Sequence, residues 1–262
     1  MLGRALAIVV TAGAAIAALA GPSAAPAPAV HGADVSFPQC PVFPGQPLAL
    51  PNATDFAVVG VNDGVATETN GCLEVELAWA AASAGAGSTE LYVNTADPGT
   101  ASARWPRADV LGSADPYGPC AAGSPGPACA YAYGWSLAAA DLDRVPSGTG
   151  RRWWLDVEAA NTWTGTRAAN RAVLEGMTAA FQAAGDRVGL YANRQDWAAL
   201  IGRVPGSSPL WALPTWLAGA TTEQGAAENC THATLTGGGR VALSQWHGLD
   251  PVDLDLACPV RP

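Results

Sequence analysis

The sequence predicts an α/β fold, a single (β/α)8-like barrel of the TIM type, from three observations. Short apolar runs recur along the chain, and each closes in polar residues. Helical patterns fall between several of these runs, and strands alternating with helices imply a parallel sheet. Within a run the aliphatic residues keep to one face and the polar ones to the other, because side chains two apart on a strand share a side.

The runs come in the following order. Gly32-Ala33-Asp34-Val35-Ser36 opens the series, followed by Val58-Val59-Gly60-Val61-Asn62 and Leu91-Tyr92-Val93-Asn94. Tyr131 to Trp135, Trp153 to Glu158 and Val188 to Asn193 come next, and the last two surround Trp211 to Leu217 and Val241 to Trp246. Ala33 and Val35 oppose Asp34 and Ser36; Leu155 and Val157 oppose Asp156 and Glu158; Val188, Leu190 and Ala192 oppose Gly189, Tyr191 and Asn193. A helix is expected over Thr166 to Ala184, where Val173, Met177 and Phe181 recur at every fourth position and Gly185 stands as the stop. Others are expected over Glu74 to Ala84, Ser136 to Leu142 and Gln195 to Ile201. Polar residues gathered at one end of every strand suit a barrel with its site on the C-terminal face. The competing fold, an all-β sandwich, has no need of the long helix after Glu158.

Composition narrows the setting. The first residues have a positive start at Arg4, an apolar run from Ala5 to Ala20 and an A-x-A at Ala27-Pro28-Ala29, which is the layout of a secretory signal peptide over residues 1–29. That run is shorter than the ~20 residues a membrane span needs, so no membrane association is expected after cleavage. Residues 30–262 then form one barrel domain, expected to be secreted and monomeric. Cys40, Cys72, Cys120, Cys129, Cys230 and Cys258 make an even count, which in an exported chain argues for disulfides. The pairing taken as the expectation is Cys120 with Cys129, Cys40 with Cys72, and Cys230 with Cys258. The three histidines are scattered and no C-x-x-C occurs, so no metal or other cofactor is expected. The net charge is −9 and every basic residue is arginine, with no basic patch, which argues against a nucleic-acid partner. No G-x-S-x-G elbow, H-E-x-x-H, P-loop or dinucleotide fingerprint is present.

The chemistry centres on Asp156 and Glu158. Two apart on a strand, they face one side with backbones about 6–7 Å apart, from a rise of ~3.3 Å per residue. Carboxyl groups this close cannot ionise independently, and one is pushed toward its acid form. Glycoside hydrolysis needs such an acid to protonate the leaving oxygen. Other strand ends offer Asp34, Asn62, Asn94 and Asn193, and Tyr133, Trp135, Tyr191, Trp216 and Trp246 are placed to stack on sugar rings. A polysaccharide is therefore the expected partner.

These residues resemble glycoside hydrolase family 25, the lysozyme-like N-acetylmuramidases. The resemblance rests on Gly32-Ala33-Asp34-Val35-Ser36 with Gln39, on Leu155-Asp156-Val157-Glu158, on Gly189-Leu190-Tyr191-Ala192-Asn193, and on Gln245-Trp246 leading to Asp253-Leu254-Asp255. It implies an irregular barrel and cleavage between N-acetylmuramic acid and N-acetylglucosamine in peptidoglycan. It also implies that Glu158 is the general acid, that Asp156 orients the substrate or stabilises developing charge, and that Asp34 lies on the barrel floor. Gln245 joins the substrate-binding residues, and the last aspartate of the family falls on Asp253 or Asp255. The second strand departs from the family's Lys/Thr-Glu-Gly type ending, closing instead as Gly60-Val61-Asn62-Asp63-Gly64. Two functions follow: a cell-wall glycosidase, or a hydrolase-like barrel that binds an envelope glycan without cutting it.

Overall fold

The computed structural model describes residues 29–40, 50–51, 54–145, 150–248 and 252–260. Residues 1–28 of the expected export signal lie outside them. Strands β1 (His31–Val35), β2 (Phe56–Gly60), β3 (Thr89–Asn94), β4 (Arg152–Asp156), β5 (Arg187–Ala192), β6 (Thr215–Ala220), β7 (Val241–His247) and β8 (Asp253–Ala257) close into one barrel in chain order. Helices α1 (Leu73–Ser83), α2 (Pro127–Arg144), α3 (Arg167–Ala183), α4 (Arg194–Leu200) and α5 (Glu223–Asn229) fill the connections from β2 through β7. The expected barrel is present, and α3 runs as its periodicity foretells. Thr166 caps α3 by accepting from the Ala169 amide, and Gly185 follows its end at φ +86°, where a side chain would be strained.

Two elements differ from the expectation. Tyr131 to Trp135 is not a strand but the middle of α2, which also absorbs the helix expected from Ser136. The alternation of small and aromatic residues there imitates a strand over five positions. Pro127 in the first turn and the alanines that follow are helix signals, and α2 packs on α3 so closely that a Cβ on Gly134 would lie 2.0 Å from the Val173 carbonyl oxygen. The second difference is the eighth strand. It is Asp253–Ala257, antiparallel to both β7 and β1. The link after His247 is too short for the crossover that a parallel return requires.

The barrel wall works as the alternation implies. Val35, Val59, Leu91, Val93, Leu155 and Leu190 point outward into one core shared with the helices. Inward lie Phe56, Val58, Trp154, Trp216 and Leu243, with Tyr92 and Tyr191 against them. Three large inward rings are each admitted by a glycine directly opposite on the neighbouring strand. Gly32 faces Phe56, Gly60 faces Tyr92, and Gly189 faces Trp154. A Cβ on these glycines would come within 2.3, 2.5 and 2.3 Å of the ring it faces, well inside van der Waals contact. The glycines are therefore the space that lets an aromatic layer plug the barrel.

All three disulfides pair as expected: Cys40 with Cys72, Cys120 with Cys129, and Cys230 with Cys258, their Cα atoms 5.8, 4.6 and 5.3 Å apart. The first ties the segment after β1 to the start of α1, and the third ties the end of α5 to the segment after β8.

Candidate active site

At the C-terminal mouth of the barrel a pocket of about 320 Å³ is lined by Asp34, Asn94, Asp156, Glu158, Tyr191, Trp216, Gln245 and Asp253, among others. Asp156 is the last residue of β4, and Glu158 stands two residues beyond it, on a segment still held to β5 by the Val157 amide on the Tyr191 carbonyl at 2.9 Å. That bond keeps the strand conformation going past the ladder, so both carboxylates reach the pocket, Asp156 deep and Glu158 at the rim. Below the rim, the Trp163 indole donates to the Glu158 carbonyl at 2.9 Å and steadies the turn.

Asp156 accepts from the Asn94 amide at 2.7 Å, and its other oxygen has no partner. Burial raises its pKa well above the ordinary carboxylate range, and the nearby Glu158 charge adds to this. Glu158 is raised as well, first by burial and then by Asp196 and Asp253. Across the floor, Gln245 bridges two groups: its amide nitrogen donates to Asp34 at 3.0 Å, and its oxygen accepts from the Tyr191 hydroxyl at 2.8 Å.

The antiparallel eighth strand answers which of its aspartates faces inward. Asp34 pairs directly with Asp253 in the β1–β8 register, and Asp255 lies opposite Gln245 across β7. Residues two apart share a face, so both turn inward, Asp253 at the pocket and Asp255 beneath it. Asp255 is fully buried and accepts from the Trp216 indole at 2.7 Å. Burial, and after it Asp253, pushes the Asp34 pKa up to about 7. Burial and the Asp34 charge push Asp255 up too. Crowded together in a buried floor, both acids favour their protonated forms more than an exposed carboxylate does.

Five of the expected site residues lie elsewhere, Trp246 among them, buried against Ala220, Ala226 and Leu256. Asn62 is buried beneath β2's end, where its amide donates to Asp141 at 3.0 Å and its oxygen accepts from the Asn94 backbone at 2.8 Å. Asn193 caps α4 by accepting from the Asp196 amide at 2.8 Å. Tyr133 and Trp135 belong to α2, with Tyr133 packed 5.2 Å from the ring of Trp105. In the pocket their place is taken by Tyr92, Phe37 and Asn161, which the sequence did not single out. Phe37 is exposed at the rim and rests over Gly64, a position its place after the Asp34-Val35-Ser36 motif could have suggested. Asp196 is a further omission: it accepts from the Ala159 amide at 3.0 Å and bears electrostatically on both Asp156 and Glu158.

Comparison with known proteins gives this arrangement a context. The family model described as Lysozyme-like protein 1 matches residues 146–229, a segment containing Asp156, Glu158 and Tyr191. Over 60 residues the chain is 37% identical to Probable GH family 25 lysozyme 4 of Dictyostelium discoideum; the match takes in 22% of this chain and 28% of that protein. Among solved structures, a family GH25 lysozyme from Aspergillus fumigatus superposes with a TM-score of 0.57 at 14% identity, covering 89% of this chain and 95% of that one. A bacterial lysozyme from Streptomyces coelicolor gives 0.54 at 16% identity, with coverage of 88% and 92%. At those identities the structural likeness is one of fold. A local stretch of sequence is thus similar to a family 25 lysozyme, and the fold of the whole chain is of the same kind.

Proposed function

We propose, from this relationship to the family 25 lysozymes, that the chain is a secreted glycoside hydrolase that cuts the peptidoglycan backbone after N-acetylmuramic acid. The observation that carries the reading is the gathering of Asp34, Asp156, Glu158 and Asp253 around one pocket, with Asp255 bonded beneath. Glu158, at the rim and with its acid form favoured by burial and neighbouring charge, is the proton donor to the leaving glycosidic oxygen. Asp156, held by Asn94 with one oxygen unpartnered, is the group that orients the substrate's N-acetyl arm or faces the positive charge developing at the anomeric carbon. Asp34, fixed by Gln245, forms the floor beneath the reacting sugar. Phe37 and Tyr191 offer ring faces to the sugar planes.

The three disulfides support export, as does the apolar run ahead of Ala27-Pro28-Ala29, which places the mature start near Val30. Among the described residues no helix is long and apolar enough to cross a membrane.

A second reading, glycan binding without turnover, has one observation in its favour. The end of β2 contributes no polar side chain to the pocket, because Asn62 is committed to Asp141 and to the Asn94 backbone. The experiment that decides is release of new reducing ends from purified peptidoglycan, with mass spectrometry of the fragments. New N-acetylmuramic acid ends support the muramidase; saturable binding with no new ends on this or other envelope glycans supports the binder.

A further inference from the structure

The opposite end of the barrel carries a second pocket, larger than the first at about 550 Å³ and bordered by Arg151, Arg152, Arg187 and Arg240. In TIM barrels this N-terminal face ordinarily serves stability, with its interior filled by side chains. Here it is open, and it concentrates four arginines in a chain whose net charge is −9.

The placement follows from register. Arg152 and Arg187 are direct neighbours across β4 and β5, on the inward face that also holds Trp154 and Gly189. Like charges directly opposite each other destabilise a sheet. Two acids border the pocket: Glu90, whose oxygens accept from Arg152 at 3.2 Å and from the Trp154 indole at 2.6 Å, and Asp55, which accepts from the His31 amide at 2.9 Å. Arg152 itself lies 5.3 Å over the Trp154 ring. Among the described residues Arg187 and Arg240 are anchored by backbone oxygens alone, Arg187 on Gly150 at 2.9 Å and Arg240 on Cys258 at 3.4 Å. Among the described residues neither is paired with a carboxylate. Burial, with Arg187 and Arg240 adding to it, also lowers the Arg152 pKa despite Glu90. A guanidinium cannot shed its proton to escape such crowding. An anion relieves such crowding more fully than water alone, and the planar fork matches an oxyanion with two or more oxygens.

We propose that this lower mouth is an oxyanion-binding site, taking the phosphate or carboxylate group of a small ligand between Arg152, Arg187 and Arg240. The site is separate from the carboxylate pocket and does not depend on the reading of that pocket. Phe56 and Leu243, also at its border, give the ligand's body an apolar seat.

The test is calorimetric titration of the intact secreted protein in low-salt buffer, with inorganic phosphate, pyrophosphate and citrate as separate probes. Saturable binding of a phosphate probe alone assigns a phosphate-bearing ligand, and binding of citrate alone a carboxylate one; binding of both supports the shared chemistry. The double variant Arg187→Gln/Arg240→Gln, with its fold checked by circular dichroism, is expected to weaken binding about tenfold or more, from the loss of charge-assisted bonds. Glu90→Gln keeps an acceptor for the Trp154 indole while removing the competing carboxylate, so it is expected to tighten binding several-fold. This opposite sign cannot come from a damaged fold, and it decides the matter should the double variant fail to fold. No binding of any probe, unchanged affinity in a folded double variant, or no tightening in Glu90→Gln overturns the proposal.

Discussion

The two mouths of the barrel are built by one rule and meet its cost in opposite ways. Strand alternation points the same face inward at both ends, and each end crowds charges of one sign. Asp34, Asp156, Glu158 and Asp253 stand at the upper mouth, and Arg152, Arg187 and Arg240 at the lower. Carboxylates relieve crowding by taking up protons, which is why burial shows there as raised pKa values. Arginines have no such outlet and need partners: Glu90 for one, backbone oxygens for two. Crowding at the top thus favours proton uptake, while crowding at the bottom leaves a concentration of positive charge.

The largest expected effect tests the upper mouth. Glu158→Gln is nearly isosteric and keeps a hydrogen-bonding group, but it removes the proton that a leaving oxygen needs. Hydrolysis of peptidoglycan is expected to fall by about 10²–10⁴-fold, the usual worth of general acid–base catalysis, while affinity for the glycan is kept. A variant as active as its parent removes Glu158 from the mechanism. A parent that binds but never cuts turns the upper mouth into a binding cleft.

The second prediction breaks the partition between the mouths. Gly189→Ala drives a Cβ to within 2.3 Å of Trp154, whose indole is pinned by Glu90 and whose ring lies 5.8 Å from that of Trp216. Overpacking of this kind costs about 1–3 kcal/mol, to be read as a lowered denaturant midpoint. An unchanged midpoint means that the aromatic layer is looser than its contacts imply.

Much of this architecture was legible from the chain. The alternation that separates Leu155 and Val157 from Asp156 and Glu158 forecasts both the outward core and the inward site. What misled was local imitation. Tyr131 to Trp135 alternates like a strand, yet the deciding fact is long-range: Gly134 and Gly176 let α2 and α3 meet backbone to backbone. The eighth strand escaped because Asp253-Leu254-Asp255 is too polar to read as a wall, and only closure against β1 makes its aspartates inward groups. Within the site, Asn62 and Asn193 carried the right residue type at the right strand end, but local backbone and Asp141 claimed their side chains first. The lower mouth left no motif at all, since its arginines come from separate strands and loops.

The third prediction concerns pH. The Asp34 pKa rises from an ordinary 3.8 to about 7, and Asp156 and Asp255 move up as well. Away from the pocket, burial raises Asp141 and Glu76 to about 7 and Asp97 to about 6. A raised folded pKa means that the folded state binds protons the unfolded chain has already released. That contribution is complete below pH ~4 and lost as pH climbs toward 7. The melting temperature is therefore expected to fall from mildly acidic to neutral pH. Asp255→Asn keeps an acceptor for Trp216 but removes the charge facing Asp34. It is expected to raise stability by about 1–2 kcal/mol at neutral pH, or a few degrees for a chain of this size, and to flatten the slope. A steeper slope, or a loss at neutral pH, contradicts the crowding of Asp34 by Asp255.

The smallest expected effect belongs to the lower mouth, and its smallness is the point. Arg187→Gln gives up the Nε bond to the Gly150 carbonyl, worth at most ~1 kcal/mol net in an exposed setting. Against this, it removes a positive charge directly opposite Arg152 in the β4–β5 register, a like-charge pair of similar cost. The two changes oppose each other, so without ligand the stability change is expected to stay within about 0.5 kcal/mol. It should also be flat from pH 4 to 8, because neither guanidinium titrates there. Chemical denaturation at several pH values reads both features, first without added anion and then with phosphate. In phosphate the parent is expected to gain stability that the variant does not, since a ligand bound only by the folded state stabilises it. A large loss without anion would mean that Arg187 is a structural brace of the barrel's base. The two mouths would then differ in sign but not in kind of task.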